Sequence, residues 1–380
     1  MMIAGEASGD AHGERLVKAM LNRDKSLRFI GIGGDQMKKA GVQLDVHLKE
    51  LSVVGITEVF SKRGGIFSGL SKAKTMLREI WPDLLILIDF PDFNLLVAKT
   101  AKNLGVPVLY YVSPQLWAWR SGRVKKIKQR VDHMAVILPF EVDFYRKHQV
   151  PATYVGNPLL DHSAIPIPER SHEKNQIIMG LLPGSRDGEI RNLLPIMVQA
   201  ADLLSGTYEQ IQFLIPRAPT IQRHQIQDIL DQMHVKNKPR FSIVDTEARH
   251  VHYQSDLVVV ASGTATLEAA LTETPMIIIY KLSPTSYFLG KLIISVPHIG
   301  LANLVAGQRV VPELIQEDAT PEKIFETACN LLDHPNHLAS IRRKLKLVRQ
   351  RLGGPGASKR TADIAFQLLQ KRKTHEQKSI

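Results

Sequence analysis

The chain has a single cysteine, Cys329, among its 380 residues. One cysteine can form neither an internal disulfide nor a metal site built from several cysteines, and such low usage is typical of a reducing compartment. Long hydrophobic runs are also missing, since stretches such as 84–88 and 276–280 are far shorter than the roughly 20 residues that span a bilayer. The amino terminus has no basic region followed by an apolar stretch, so it does not resemble a signal peptide. We therefore expect a cytoplasmic protein.

Acidic residues are in the minority, with 37 Asp and Glu against 49 Lys and Arg and a net charge of +12. This excess predicts attraction to polyanions, a class that includes nucleic acids, phosphorylated metabolites and anionic lipid head groups. The charge alone does not choose among them. No group of carboxylates in the sequence resembles a metal cage, so we predict neither a metal nor another cofactor.

Apolar runs alternate with helical patterns in both halves of the chain, which predicts an α/β fold with parallel sheets covered on both faces. We expect two Rossmann-like doubly wound domains with a ligand cleft between them, because ligands gather at the carboxyl ends of such strands. A segment rich in proline, histidine and charge separates the halves, and the last residues look helical and basic. The predicted boundaries are a first domain at 1–156, a linker at 157–175, a second domain at 176–345 and a helical tail at 346–380.

Two motifs in the first half follow predicted strands. The first is a turn of small residues at 5–10, which includes Glu6 and Ser8 and opens a helix. Such a turn lets backbone amides approach an anion, although Ser8 or Asp10 could equally cap the helix. The second motif, at 88–94, delivers Asp89 to the sheet edge beside a phenylalanine and a proline, where a carboxylate suits general-base chemistry. Asp92 more naturally caps the next helix.

Two further segments of the first half combine apolar and cationic residues. At 111–120 two tryptophans, one of them Trp117, precede a basic helix and could stack on a sugar or base. The alternative is a loop that Trp117 anchors in the protein interior. At 59–74 apolar residues alternate with cations, as in an element that lies on a membrane surface, and a loop packed on its own domain is equally compatible. The candidate lipid contacts there are Phe60, Ile66, Phe67 and Leu70.

The second half contains two comparable turns and one loop. The turn at 181–186 contains Gly184 and Ser185 and ends in Arg186, whose forked guanidinium suits phosphate, with an ion pair to Glu189 as the alternative. The segment at 261–268 opens a helix with small and hydroxyl residues that could cradle a phosphate. Its candidate ligands are Ser262, Gly263, Thr264 and Glu268, the last for a ribose diol, and an ordinary capped helix is the alternative. Asn303 lies in a later loop at 301–307.

Six of these motifs, taken in order, resemble the lipid-A-disaccharide synthase family of GT-B glycosyltransferases. They are GE-x-SGD at 5–10, ID-x-PDFN at 88–94, YVSP-x-x-WAWR at 111–120, LLPGSR at 181–186, ASGTATLE at 261–268 and NL-x-AG at 303–307. The resemblance implies an inverting transfer from UDP-2,3-diacylglucosamine to 2,3-diacylglucosamine 1-phosphate (lipid X), which yields a β-1,6-linked disaccharide 1-phosphate and UDP.

The same resemblance implies roles for individual residues and partners. Asp89 would be the general base and Arg186 the essential arginine of the donor side. Glu268 and Asn303 would also belong to the donor site, and Glu6 to the acceptor side. The first domain would bind the acceptor and its lipid, and the second the UDP-sugar. The family further implies attachment to the anionic inner-membrane surface and a homodimer that exchanges carboxyl-terminal helices.

Two other readings of the sequence remain. UDP-N-acetylglucosamine 2-epimerases share the expected architecture, but they convert one UDP-sugar and need no lipid-facing surface. A nucleic-acid-binding protein would account for the charge and for Trp117. Against that reading, the cations are spread over several helices and no nucleic-acid-binding motif is present, so we do not expect nucleic acid as a partner.

Overall fold

The computed structural model describes residues 1–52, 61–118, 121–162, 176–281 and 296–378. The chain divides into two compact units, one formed by Met1–Ser163 with Gly354–Ile380 and the other by Ala164–Gly353. The sequence placed the first boundary at 156 and began a separate tail at 346. In the structure the chain instead returns to the first unit at Gly354.

The first unit is built on a parallel sheet of seven strands in the order β3-β2-β1-β4-β5-β6-β7. This order, which reverses direction at β1, is that of a doubly wound Rossmann-like sheet. The strands are β1 Met2–Ala4, β2 Phe29–Gly33, β3 Val42–His47, β4 Leu85–Ile88, β5 Val108–Tyr111, β6 His133–Val136 and β7 Ala152–Tyr154.

Helices cover both faces of this sheet. Side chains alternate along β4, so that Leu85 and Leu87 join one hydrophobic cluster while Ile86 and Ile88 join the other. A strand buried on both faces explains the unbroken apolar run seen in the sequence. The helices are α1 Ala7–Leu21, α2 Asp35–Lys39, α3 Leu48–Ser52, α4 Ser61–Ile80, α5 Pro91–Asn103, α6 Val124–Arg130 and α7 Glu141–Lys147, with short 3₁₀ helices at Ser121–Arg123 and Pro158–His162.

The second unit repeats the design with six parallel strands in the order β10-β9-β8-β11-β12-β13. Its strands are β8 Ile177–Leu182, β9 Ile211–Pro216, β10 Arg240–Val244, β11 Leu257–Ala261, β12 Met276–Tyr280 and β13 Glu313–Ile315. Its described helices are α8 Asp187–Ser205, α9 Arg223–Gln232, α10 Ala248–Gln254, α11 Ala265–Leu271, α12 Leu301–Ala306, α13 Pro321–Leu332 and α14 Pro335–Arg351, with a 3₁₀ helix at Gln316–Asp318. The expected pair of Rossmann-like α/β units is confirmed.

The carboxyl-terminal helix α15, Ala357–Lys378, packs on the first unit of its own chain. The Asp161 carboxylate accepts hydrogen bonds from the backbone amides of Gly356 at 2.6 Å and Ala357 at 3.2 Å, which satisfies donors at the start of the helix. Arg360 Nε donates to the carbonyl of Val155 at 2.6 Å. The exchange of this helix between two copies stays a prediction. Within the described residues, no helix is long and apolar enough to cross a membrane.

Candidate active site

Three turns of the first unit lie side by side at the carboxyl edge of its sheet. Ala4 of β1 is paired with Ile88 of β4, and Ile88 is paired with Tyr111 of β5. The chain therefore leaves three neighbouring strands at Gly5, Asp89 and Val112. Three of the motifs singled out in the sequence meet at this edge, which is where ligands bind in open α/β sheets.

The turn at Gly5 packs directly against the turn at Asp89. A Cβ atom at Gly5 would lie 2.1 Å from Cγ of Phe90, so only glycine allows this approach. Glu6 is in the N-cap position of α1, and its side chain and that of Ser8 are exposed. Ser8 lies inside α1 and is not the cap expected from the sequence, and the N-cap residue Glu6 makes no side-chain cap bond. Asp10, the other expected cap, instead accepts hydrogen bonds from the amides at the start of α2.

Asp89 and Phe90 both adopt left-handed backbone conformations, with φ of +47° and +48°. Such angles are uncommon for residues other than glycine and persist only where surrounding contacts hold them. Two buried side chains supply these contacts to the carbonyl oxygen of Asp89. Tyr110 donates its hydroxyl at 2.5 Å, and Asn94 donates Nδ2 at 2.7 Å. The half-buried Asp89 is thus held in place through its own backbone.

Sequence reasoning did not assign roles to Tyr110 and Asn94. Asn94 was within the quoted motif, five residues after Asp89, but nothing in the motif indicates that it folds back onto that carbonyl. Tyr110 reaches Asp89 only because Leu87 is paired with Tyr110 in the register of β4 and β5. Asp92 lies inside α5 rather than at its N-cap, which is Phe90, and it forms an ion pair with Arg123 at 2.5 Å.

Trp117 is buried, with only 9% of its surface exposed, so it is not the stacking platform that the sequence suggested. Its indole Nε1 donates to Glu141 Oε1 at 3.0 Å, and its ring contacts Phe140 edge to face. A buried indole requires such an acceptor, and Glu141 provides it. Burial raises the pKa of the Glu141 carboxyl to about 7, although hydrogen bonds from Trp117 and from backbone amides oppose the shift. The alternative of an interior anchor is therefore what the structure shows.

The lipid candidates on α4 divide into two groups. Phe67 is 65% exposed, as a lipid contact would be. Leu70 is 8% exposed and belongs to the core of the first unit, so its assignment as a lipid contact is wrong. The reason is helical periodicity, since Leu70, Ala73 and Leu77 form the inward stripe of α4. Phe60 and the side chain of Ile66 lie outside the described residues.

In the second unit, two candidate turns also lie at one sheet edge. Leu182 of β8 is paired with Val260 of β11, which brings the turn containing Gly184 next to the one that begins at Ser262. Gly184 has φ of +115°, and a Cβ atom there would lie 2.2 Å from Glu189 Oε2. Glycine is therefore required for the tight approach of Glu189 to this turn.

Glu189 occupies the backbone amides of this turn. Its Oε2 accepts from the amide of Ser185 at 3.0 Å and from that of Arg186 at 3.3 Å. The expected alternative, an ion pair with Arg186, is present but long, with Nη1 at 3.4 Å from Oε1. The Arg186 side chain is 74% exposed, and such an exposed pair contributes only about 0–1 kcal/mol. Replacing this contact by one between the guanidinium and a phosphate would therefore cost little free energy.

The turn after β11 opens the short helix α11. Ser262 donates its hydroxyl to the carbonyl of Ile299 at 3.1 Å, and Thr264 is in the N-cap position. The amides of Thr266 and Leu267 donate to the carbonyls of Gly263 at 3.2 Å and Thr264 at 2.9 Å, so the amides of 263–265 are the ones that this turn can offer to an anion. Glu268, one turn further, is 30% exposed, and partial burial raises the pKa of its carboxyl.

His252 is a neighbour of Glu268 that sequence reasoning missed. It is completely buried, with Nε2 4.0 Å from Glu268 Oε2, and burial lowers the pKa of its ring to about 3. Among the residues that the structure describes, neither ring nitrogen has a hydrogen-bond partner. A neutral imidazole therefore lies behind the Glu268 carboxylate.

Asn303 has a supporting role instead of the expected direct contact with a donor. It is fully buried, and Nδ2 donates to the carbonyl of Val311 at 2.9 Å and to Glu313 Oε1 at 2.8 Å. Its Oδ1 accepts from the amides of Val310 at 2.7 Å and Val311 at 3.0 Å. These bonds use both donors and both lone pairs of the amide, which leaves none for a ligand.

A search of the described ranges finds no group of three or more His, Cys, Asp or Glu residues that could hold a metal ion.

The family model described as lipid-A-disaccharide synthetase matches residues 1–367. The chain is also 46% identical to the lipid-A-disaccharide synthase of Geobacter metallireducens over 380 residues, which cover 98% of each protein. The chain belongs to the lipid-A-disaccharide synthase family. For this family member, the resemblance drawn from the six sequence motifs is confirmed.

Solved structures support the fold of this synthase-family chain. MurG of Acinetobacter baumannii matches with a TM-score of 0.57 at 13% identity, covering 96% of this chain and 97% of that one. A UDP-GlcNAc 2-epimerase of Neisseria meningitidis, solved with UDP-GlcNAc bound, also has a TM-score of 0.57 at 13% identity, with 95% and 97% covered. At this identity both show the shared GT-B fold alone. The sequence relatives, and not the epimerase fold, therefore decide the family.

Proposed function

We propose that the chain joins two acylated glucosamine units. The donor is UDP-2,3-diacylglucosamine, the acceptor is 2,3-diacylglucosamine 1-phosphate, and the products are a β-1,6-linked disaccharide 1-phosphate and UDP. The observation that carries this proposal is membership of the synthase family over 98% of the chain. The position of Asp89, at a strand end where acceptor chemistry is expected, supports it.

In the proposed reaction Asp89 acts as the general base. The acceptor 6-hydroxyl attacks the anomeric carbon of the donor from the face opposite the diphosphate, so the configuration inverts. The O–H bond breaks and its proton passes to the Asp89 carboxylate, while the bond to the diphosphate breaks and its electron pair leaves with UDP. The sugar acquires oxocarbenium character, as in other glycosyl transfers. A well-placed general base contributes roughly 10²–10⁴-fold to such a step.

The second unit stabilises the leaving diphosphate in this proposal. The exposed Arg186 guanidinium binds it in place of Glu189, and the amides of Gly263 and Thr264 and the Thr264 hydroxyl supply further donors. Ser262 shapes this turn, since its hydroxyl and amide donate to the carbonyls of Ile299 and Ile279. Glu268 accepts hydrogen bonds from the ribose diol. Gly184 and Ser185 shape the turn that presents Arg186, and Asn303 supports the donor site by holding the segment that follows it.

The lipid-bearing substrates place the enzyme at the anionic inner-membrane surface, where the net charge of +12 favours adsorption. Phe67, on α4, is the proposed apolar contact with acyl chains. Phe67→Ser should lower turnover of substrates in lipid vesicles while leaving UDP affinity unchanged. Leu347→Ser is the control, because Leu347 is 55% exposed on the second unit. An equal loss in both variants would refute the proposed contact.

The experiment that tests the proposed function measures UDP release with both acylated glucosamine substrates and with each omitted in turn. Release of UDP together with a disaccharide, and only when both substrates are present, is the expected result. Conversion of UDP-N-acetylglucosamine supplied alone would point to the epimerase alternative instead. No product under any of these conditions would refute both.

A further inference from the structure

A groove on the first unit combines cationic and apolar side chains. It runs between α5 and α6 and has a volume of about 170 Å³. Small-molecule sites typically measure about 300–1,000 Å³, so this groove suits one part of a ligand. Its lining residues are Asp92, Leu95, Leu96, Arg123, Lys126 and Arg130.

The three cations are arranged on one face by the helix that carries them. Val124 and Ile127 point into the core, while Arg123, Lys126 and Arg130 recur at helical spacing on the side that faces α5. Arg130 Nη1 donates to the carbonyl of Leu95 at 3.0 Å, which ties this guanidinium to α5. The three cations therefore lie on the same side of the helix, where their like charges repel one another.

One carboxylate faces these three cations. Asp92 pairs with Arg123 at 2.5 Å, but its side chain is 74% exposed, so solvent weakens the pair. Within the described lining, two positive charges have no carboxylate opposite them. A phosphate monoester, with a charge of about −1.5 to −2, would neutralise them and accept several of their donors.

The apolar residues of the groove narrow the choice of phosphate. Leu96 is 46% exposed and lines the groove together with the three cations. A phosphate attached to an acylated sugar would cover both the charges and the leucine, whereas a purely hydrophilic phosphate would leave Leu96 in water. The groove is also close to the proposed chemistry, because α5 begins two residues after Asp89.

We propose that the groove between α5 and α6 binds the anomeric phosphate of the acylated glucosamine acceptor. Lys126 and Arg123 contact the phosphate, and Leu96 contacts the adjoining acyl group. This inference rests on the proposed function, and it gives the acceptor a fixed orientation relative to Asp89. It also explains why the acceptor would be recognised as a sugar phosphate rather than as the free sugar.

The test compares two adjacent lysines on α6. Lys126→Gln removes a charge from the groove, and Lys125→Gln removes the same charge from an exposed position outside the groove lining. Each variant is assayed with the acceptor 1-phosphate and with an analogue that has a free 1-hydroxyl. Lys126→Gln should raise KM for the phosphate acceptor about 10-fold and leave KM for the analogue within about 2-fold. Lys125→Gln should change neither value.

Binding to acceptor in neutral detergent micelles, measured by calorimetry, keeps the inference separate from turnover. If the unmodified protein binds the acceptor phosphate but releases no UDP, the proposed function fails while the groove is still tested by Lys126→Gln. The groove assignment is overturned if both lysine variants weaken binding equally, or if Lys126→Gln affects both acceptors alike. It is also overturned if binding of the protein to micelles that contain phosphatidylglycerol depends on Lys126 to the same degree, since that would indicate a general anionic-lipid surface.

Discussion

The two units hold their proposed functional residues in contrasting ways. In the first, Asp89 is in a left-handed turn whose carbonyl is fixed by the buried Tyr110 and Asn94. In the second, the Arg186 side chain is 74% exposed and makes one long contact with Glu189. In the proposed mechanism, Asp89 is therefore preorganised for proton transfer, whereas Arg186 adopts its binding position only when the donor binds.

Each unit also buries a titratable group whose pKa is strongly shifted, an acid in one and a base in the other. The first buries the acid Glu141, whose pKa is raised to about 7, and the second buries the base His252, whose pKa is lowered to about 3. Both groups are therefore neutral in the folded protein near pH 6. The same desolvation acts on an acid and a base, so these two groups should change stability with pH in opposite directions.

The largest effect is expected from Asp89→Asn, which removes the proposed base while preserving the shape of the turn. Turnover should fall by about 10²–10⁴-fold, and UDP affinity should stay the same because UDP is assigned to the other unit. Asp83→Asn, at the opposite end of β4, is the control and should retain turnover. Near-normal activity of Asp89→Asn would show that Asp89 is not the general base.

The next effect concerns pH and stability. The raised pKa of Glu141 means that its contribution is complete below about pH 4.5 and lost as pH rises through about 7. The lowered pKa of His252 means that its contribution is present above about pH 6.5 and lost as pH falls towards 3. Between pH 4.5 and 6.5 each group contributes a slope of about 1 kcal/mol per pH unit, with opposite signs.

Single variants separate these two contributions. Relative to the unmodified protein, Glu141→Gln should show a stability that rises more steeply with pH between 4.5 and 6.5 in denaturant unfolding, because the opposing Glu141 contribution is removed. In His252→Phe the slope should change in the opposite direction over the same interval, because the rising His252 contribution is removed. Parallel slopes in the two variants would show that burial does not perturb these groups in opposite directions.

A smaller effect is expected from Arg186→Ala. Loss of one charged hydrogen-bond donor to phosphate should weaken donor binding and reduce the rate, together by about 10- to 100-fold. Arg191→Ala on the same helix is the control, because Arg191 is 71% exposed and paired with Asp187. A stability change without any kinetic change in Arg186→Ala would mean that the arginine serves only its pairing with Glu189.

The smallest effect concerns the preorganisation of Asp89. Tyr110→Phe deletes the hydroxyl that holds the Asp89 carbonyl and should lower kcat by about 5-fold, with donor affinity unchanged. Tyr145→Phe deletes a comparably buried hydroxyl that bonds Ser113 instead, so it should lower stability alone. If both variants have the same kcat, the turn does not depend on Tyr110 for its alignment.

The sequence was sufficient to predict the two parallel sheets, because each central strand is an unbroken apolar run, as β4 and β11 illustrate. It also predicted that the motifs form turns at the sheet edges, since they follow these runs directly. The sequence did not predict which individual side chains are buried. Trp117, Leu70 and Asn303 were chosen for their chemistry, but neighbours distant in the chain decide whether such residues face a ligand or the interior.

Strand register and helix packing explain why the sequence did not indicate the contacts of Tyr110 and His252. The contact of Tyr110 with Asp89 follows from the pairing of β4 with β5, and a shift of one residue would turn the tyrosine to the other face. His252 reaches Glu268 because α10 packs beside α11. Neither relationship leaves a periodic signal in the sequence.

The anomeric configuration of the product, determined by nuclear magnetic resonance after incubation with both acylated substrates, tests the central claim most directly. Direct attack by the acceptor hydroxyl with Asp89 as base predicts a β-1,6 linkage from the α-configured donor. An α-linked disaccharide, or an epimerised UDP-sugar without a disaccharide, would contradict the account.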